Sequence, residues 1–112
     1  KREFLYVDDM AKACIKIMNL NDKIFNKNRN PMCSHINVGS SKEIRVKELA
    51  IIIKKIIGFK GEIQWDPTKP DGMKRKLLDS SKILKLGWKP EVSLKDGILK
   101  TYNDFKKNHE YN

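Results

Sequence analysis

The sequence has 112 residues, enough for one small domain with a modest core. Its formal net charge of +10 permits binding to nucleic acid or another polyanion. The basic residues are scattered along nearly the whole chain, however, and Lys, Ile and Asn are abundant together, so a compositional bias explains much of the charge equally well. Cys14 and Cys33 form neither a metal spacing nor a disulfide framework, which leaves reduced thiols in a cytoplasmic protein as the expectation. No apolar run approaches membrane-spanning length, and no signal peptide stands at this N-terminus. The opening Lys1-Arg2-Glu3-Phe4 reads as the interior of an element, so a piece of a longer protein is expected.

Glu3-Phe4-Leu5-Tyr6-Val7 reads as a short, mostly buried strand. Asp8-Asp9 then offers an N-cap and favourable charge to a helix running to about Leu20. Met10, Ala13, Cys14, Ile17 and Met18 share its apolar face, with Cys14 expected as a small core residue. Residues 21–35 form a polar connection in which Ile24 and Phe25 anchor a helical turn and Cys33 is exposed. His35-Ile36-Asn37-Val38-Gly39 alternates like a strand.

Val46, Leu49, Ala50, Ile53, Ile56 and Ile57 make a helical stripe that stops at Gly58, with Lys54 and Lys55 in its last turn. Glu62-Ile63-Gln64-Trp65 reads as a strand, and Arg75 to Leu78 as another. Asp79 or Ser80 caps a short helix through Leu86, ended by Gly87. Trp88-Lys89-Pro90 is an extended linker. Ser93 caps the last helix, Asp96 stands in the capping-box position, and Leu94, Ile98, Tyr102 and Phe105 form its buried face. Strands separated by helices give an α/β fold class, with short, partly parallel pairing.

Between the last two strands lies Asp66-Pro67-Thr68-Lys69-Pro70-Asp71-Gly72-Met73-Lys74-Arg75-Lys76. Pro70 restricts Lys69 to extended geometry, and Gly72 accepts a positive φ in a tight turn. Three cations in succession after a rigid turn suit a fixed anion such as a diphosphate. Composition alone favours the plainer reading of a solvated basic loop.

Self-contained catalysis is absent from the pattern. The six glycines stand too far apart for a dinucleotide fingerprint. His35 reads as a structural or surface residue, and His109 lies in a polar tail. Tyr102-x-x-x-Lys106 copies the tyrosine–lysine spacing of short-chain dehydrogenases, but Tyr102 belongs to an apolar helical stripe and reads as packing.

Arg2-Glu3-Phe4-Leu5-Tyr6-Val7-Asp8-Asp9-Met10-Ala11 resembles the R-E-F-hydrophobic-H/Y-V-D-D-x-A segment of extended short-chain dehydrogenase/reductases acting on nucleotide sugars. Ile36-Asn37-Val38-Gly39 resembles their later I-N-V-G strand. Lys69-Pro70-Asp71-Gly72, Arg75-Lys76-Leu77-Leu78-Asp79, Leu86-Gly87-Trp88 and Ser93-Leu94 narrow the resemblance to the GDP-L-fucose synthase group. It implies the C-terminal substrate-binding domain of an extended enzyme whose Rossmann domain is absent from this sequence. Residues 1–20 are then the strand and helix associated with that Rossmann half, and 21–112 the substrate domain.

The resemblance implies further that the whole enzyme binds NADPH on its N-terminal domain and works as a homodimer through that domain. It converts GDP-4-keto-6-deoxy-D-mannose to GDP-L-fucose by epimerisation at C3 and C5 and reduction at C4. By the same resemblance the family's catalytic residues are expected before residue 1, which implies that the piece itself is inactive. Two substrate contacts carry over by position: Arg2, which opens the R-E-F segment, and Lys76, after the arginine of R-K-L-L-D. In the family both reach the phosphates of the nucleotide sugar. Met73-Lys74 and Tyr6 depart from residues frequent in relatives.

Two alternatives stand beside this reading. One is a substrate domain for another nucleotide-sugar epimerase or dehydratase, which the shared first segment permits. The other is a basic nucleic-acid-binding module, against which no basic helix or aromatic platform with docking spacing is found.

Overall fold

The structure, a computed structural model, describes residues 1–20 and 35–109. In chain order the elements are β1 (Arg2–Glu3), α1 (Val7–Met18), β2 (Glu43–Ile44), α2 (Val46–Ile57), α3 (Ser81–Lys85) and α4 (Leu94–His109). β1 and β2 pair antiparallel, Arg2 opposite Ile44 and Glu3 opposite Glu43. A parallel contact lies along a neighbouring stretch: the Lys1 nitrogen donates to the Lys74 carbonyl at 2.6 Å, and the Lys76 N–H donates to the Lys1 carbonyl at 3.2 Å. Residues 74–76 thus run beside the start of β1 in parallel sense without extending into a regular strand.

The expected strands shrink for a common reason. Alternation makes a segment able to pair, but a strand exists only where a neighbour accepts its backbone bonds. Residues 4–7 instead bend into α1. Residues 35–39, 62–65 and 75–78 are extended or irregular rather than strands. The expected helical turn at Ile24 and Phe25 and the position of Cys33 fall outside the described residues.

Helices follow the apolar stripes more closely. α2 begins where Glu48 Oε2 accepts the Arg45 N–H at 3.2 Å, and ends at Gly58, whose φ of 75° is the left-handed conformation that terminates a helix. α1 starts earlier than Asp8-Asp9 would place it, with extended Tyr6 as its N-cap. Asp8 and Asp9 then occupy its first turn, where negative charge is favourable. Asp9 is 1% exposed and ties the helix to a distant segment. Its Oδ2 accepts the N–H groups of Glu91 (3.2 Å) and Val92 (3.0 Å). Its carbonyl also accepts the Trp88 indole N–H at 3.1 Å.

These bonds turn the expected linker at Trp88 into a core position. Ala13, Ile83 and Trp88 form the buried centre, with Leu5, Ile17, Ile36 and Val38 packed against it. Cys14 is exposed, not a core residue, because α1 turns Ala13 and Ile17 inward and leaves Met10, Cys14 and Met18 outside. On α4, the Asp96 N–H donates to Ser93 Oγ at 3.2 Å, the cap that the sequence predicts. Phe105, expected on the buried face, is 58% exposed, since the groove it borders is open.

Candidate substrate-binding site

The residues singled out in the sequence converge on β1. Arg2 is half-buried. Its Nη1 donates to the carbonyls of Met73 (2.7 Å) and Lys1 (2.8 Å), which holds the planar guanidinium against the Lys-Pro-Asp-Gly segment. Gly72 does not adopt the positive φ expected for it. A Cβ at this position would lie 3.4 Å from Arg2 Nη2, an ordinary contact distance. The local turn comes earlier, where the Asp66 carboxylate accepts the Thr68 N–H (2.9 Å) and hydroxyl. Those two bonds, the hydroxyl's first, hold the Asp66 carboxyl below the ordinary aspartate value.

Lys76 is exposed, and its backbone N–H is the one bonded to Lys1. The two carried-over residues are therefore neighbours across backbone hydrogen bonds, although 73 positions separate Lys1 from Lys74. The three consecutive cations are not equivalent. Arg75 Nε donates to Glu43 Oε2 at 2.7 Å, and Lys1 Nζ lies 3.7 Å from Glu43 Oε1. The Arg75 bond, ahead of its Coulombic attraction and that of Lys1, keeps the Glu43 carboxyl below its ordinary value. Strand alternation places Lys1, Glu3, Glu43 and Arg75 on one face. By the same alternation Lys76 falls with Arg2 on the other face.

Three residues absent from the sequence-based site complete the frame. Glu3 Oε2 accepts the Ser41 N–H at 2.7 Å, and Oε1 faces the Leu78 N–H at 3.4 Å. Asn37 Nδ2 donates to the Asp79 carbonyl at 3.3 Å. Gly39 is buried under the Glu3 carboxylate. The available signal is that R-E-F, I-N-V-G and R-K-L-L-D occur together; their mutual bonds are what one sequence does not display. Asp79 also accepts the Ser81 N–H at 3.0 Å at the start of α3, which lowers its own carboxyl pKa.

Other candidates settle elsewhere. Tyr102 is half-buried, lines an apolar groove with Leu94, Ile98 and Phe105, and has Lys106 Nζ 4.8 Å from its ring centre. That is packing with a cation over the ring. His35 and His109 are exposed, the latter 4.6 Å from Phe105 between ring centres. Among the described residues no cluster of His, Cys, Asp or Glu is arranged to hold a metal ion. No described helix is long and apolar enough to cross a membrane.

No protein-family model matches the chain. Over 107 residues it is 49% identical to a putative GDP-L-fucose synthase 2 of Arabidopsis thaliana, a match covering 96% of this chain and 30% of that protein. The chain is homologous to GDP-L-fucose synthases. It also superposes on a GDP-6-OMe-4-keto-L-xylo-heptose reductase from Campylobacter jejuni with a TM-score of 0.85 and 39% identity, over 96% of this chain and 31% of the other. A GDP-D-glycero-L-gluco-heptose synthase from the same organism, solved in the presence of NADPH, matches with a TM-score of 0.79 and 40% identity, over 94% and 30%. The chain thus spans about a third of the length of these relatives. Its small helix-rich fold with a short sheet is the one that these two structures show over the matching part of their chains.

Proposed function

We propose that this chain is the nucleotide-sugar-binding part of a cytoplasmic, homodimeric, NADPH-dependent epimerase/reductase that converts GDP-4-keto-6-deoxy-D-mannose to GDP-L-fucose. The observation that carries the reading is the backbone pairing of the R-E-F strand with the R-K-L-L-D segment, which makes Arg2 and Lys76 neighbours. A diphosphate takes both kinds of donor: a planar fork from Arg and a point charge from Lys. With Arg75 engaged by Glu43, Lys74 and Lys76 are the exposed cations of the run left on the side of Arg2, and the resemblance selects Lys76.

The described residues do not fit a dinucleotide. They contain no strand–glycine–helix turn of the kind that seats a pyrophosphate. We therefore assign NADPH and the catalytic residues to the remainder of the full-length enzyme, with residues 1–20 against that part and 21–112 forming the substrate domain. In this arrangement the present chain binds and orients the GDP end while hydride transfer takes place elsewhere.

Lys76→Ala in the full-length enzyme tests the site. Loss of one charge-assisted contact costs about 1.5–3 kcal/mol, so KM for the GDP-keto sugar should rise more than tenfold while kcat changes little. Unchanged steady-state kinetics would remove Lys76 from the site. A second reading, a reductase for a GDP-heptose, is favoured by the two Campylobacter structures. Turnover of a GDP-4-keto-heptose in preference to the deoxymannose derivative would select it.

A further inference from the structure

We propose that Glu3 is a positioning residue for Lys76, its carboxylate fixing the spacing between Lys76 and Arg2 without itself touching the substrate. The inference rests on the reading of Arg2 and Lys76 as phosphate contacts. In a continuing parallel pair, the bond after Lys76 N–H to the Lys1 carbonyl would run from Leu78 N–H to the Glu3 carbonyl. Here the Glu3 side chain meets that N–H instead, with Oε1 at 3.4 Å. A charged acceptor thus takes the place of a backbone acceptor at the point where the segment leaves β1 toward Asp79.

The same carboxylate reaches a third segment. Oε2 accepts the Ser41 N–H at 2.7 Å, and Ser41 sits at a φ of 60°, a conformation uncommon for a residue other than glycine. Gly39 makes room for the whole arrangement: a Cβ there would crowd both Glu3 oxygens, standing 2.8 Å from Oε2 and closer still to Oε1. Lys76 is consequently held on both sides, by its own N–H on Lys1 and by Leu78 on Glu3. Arg2 moves with the strand that carries both anchors. Glu3 lies on the face opposite Arg2, so it orients the phosphate-binding pair without adding negative charge to their side.

Two variants of the full-length enzyme test this. Glu3→Ala removes the carboxylate. Gly39→Ala leaves it in place chemically but displaces it, and asks little of the fold because only the far end of the Glu3 side chain must move. Each should raise KM for the GDP-sugar about tenfold, the equivalent of one lost charge-assisted bond, with kcat and the NADPH KM unchanged. Gly39→Ala should add nothing in the Glu3→Ala background, and Glu3→Ala should add nothing in the Lys76→Ala background.

Full additivity of Glu3→Ala with Lys76→Ala would overturn the positioning role while leaving the phosphate site standing. Unchanged KM in the folded Gly39→Ala enzyme would also overturn it. If Lys76→Ala itself has normal kinetics, the phosphate reading fails first and the role of Glu3 falls with it.

Discussion

The region around β1 and the groove between residues 4–7, α2 and α4 are built by opposite means. Around β1, Lys1, Arg2 and Glu3 reach two segments distant in sequence through directional bonds and charge: Met73–Leu78, and the stretch of Ser41 and Glu43. The groove, with a cavity of 580 Å³, is lined by Phe4, Leu49, Ile53, Ile98 and Phe105 among others and lies open. At its border Val7 and Phe105 are 68% and 58% exposed. The difference teaches that the candidate site owes its geometry to hydrogen bonds and charge, whereas the stability of the chain rests on a small apolar cluster elsewhere. Substitutions in the two regions should therefore separate, one set moving substrate affinity and the other moving stability.

The largest stability effect belongs to Ile83, which is fully buried beside Ala13 and Trp88. Ile83→Ala should cost about 3 kcal/mol, the usual loss when a buried branched side chain leaves a cavity. Urea denaturation of the chain would read it as a lower midpoint at unchanged slope. A loss under about 1 kcal/mol, within the range of surface substitutions, would place the stabilising core elsewhere and dissolve the contrast.

Asp9 comes next. Asp9→Ala leaves the Glu91 and Val92 N–H groups without their acceptor, and the cost should be about 2 kcal/mol given their partial burial. Hydrogen exchange at those two amides should accelerate relative to wild type. KM of the full-length enzyme for the nucleotide sugar should stay unchanged, since Asp9 ties α1 to the segment before α4 and not to residues 74–78. A rise in KM as large as that of Lys76→Ala would show that the two regions are coupled.

What can be read in advance follows the same division. The α2 stripe and its stop at Gly58 are legible because period, last-turn lysines and terminator are all local. The cap at Ser93 is legible for the same reason. Asp9 reads as a cap in the sequence, because its partners lie 82 and 83 residues away and no local pattern points to them. Trp88 reads as linker for the same reason. At the site, the resemblance singles out Arg2 and Lys76, but their pairing depends on one parallel backbone contact, and reading each segment as a strand does not say which partner it takes. Glu3 escapes notice because its partners, Ser41, Gly39 and Leu78, lie far along the chain and no local pattern points to them.

The smallest expected effect is one of pH, and it probes the polar region alone. Arg75 donates to Glu43, and this bond, with the charges of Arg75 and Lys1, favours the ionised carboxylate. The folded pKa of Glu43 therefore lies below its ordinary value of 4.5. The folded chain binds fewer protons at this group than the unfolded chain does, so its contribution is present above pH 4.5 and fades as pH falls through the lower folded value. The side chains are partly exposed, 63% for Arg75 and 18% for Glu43, so solvent and salt screening keep the contribution small. Urea midpoints measured between about pH 6 and pH 3, which bracket the ordinary carboxylate range, should fall slightly less in Glu43→Gln than in wild type, because the variant has no proton to take up there. Equal acid sensitivity of the two proteins would mean that Glu43 is held no more tightly in the folded chain than in the unfolded one, and that the Arg75 contact does not brace the strand from which Arg2 projects.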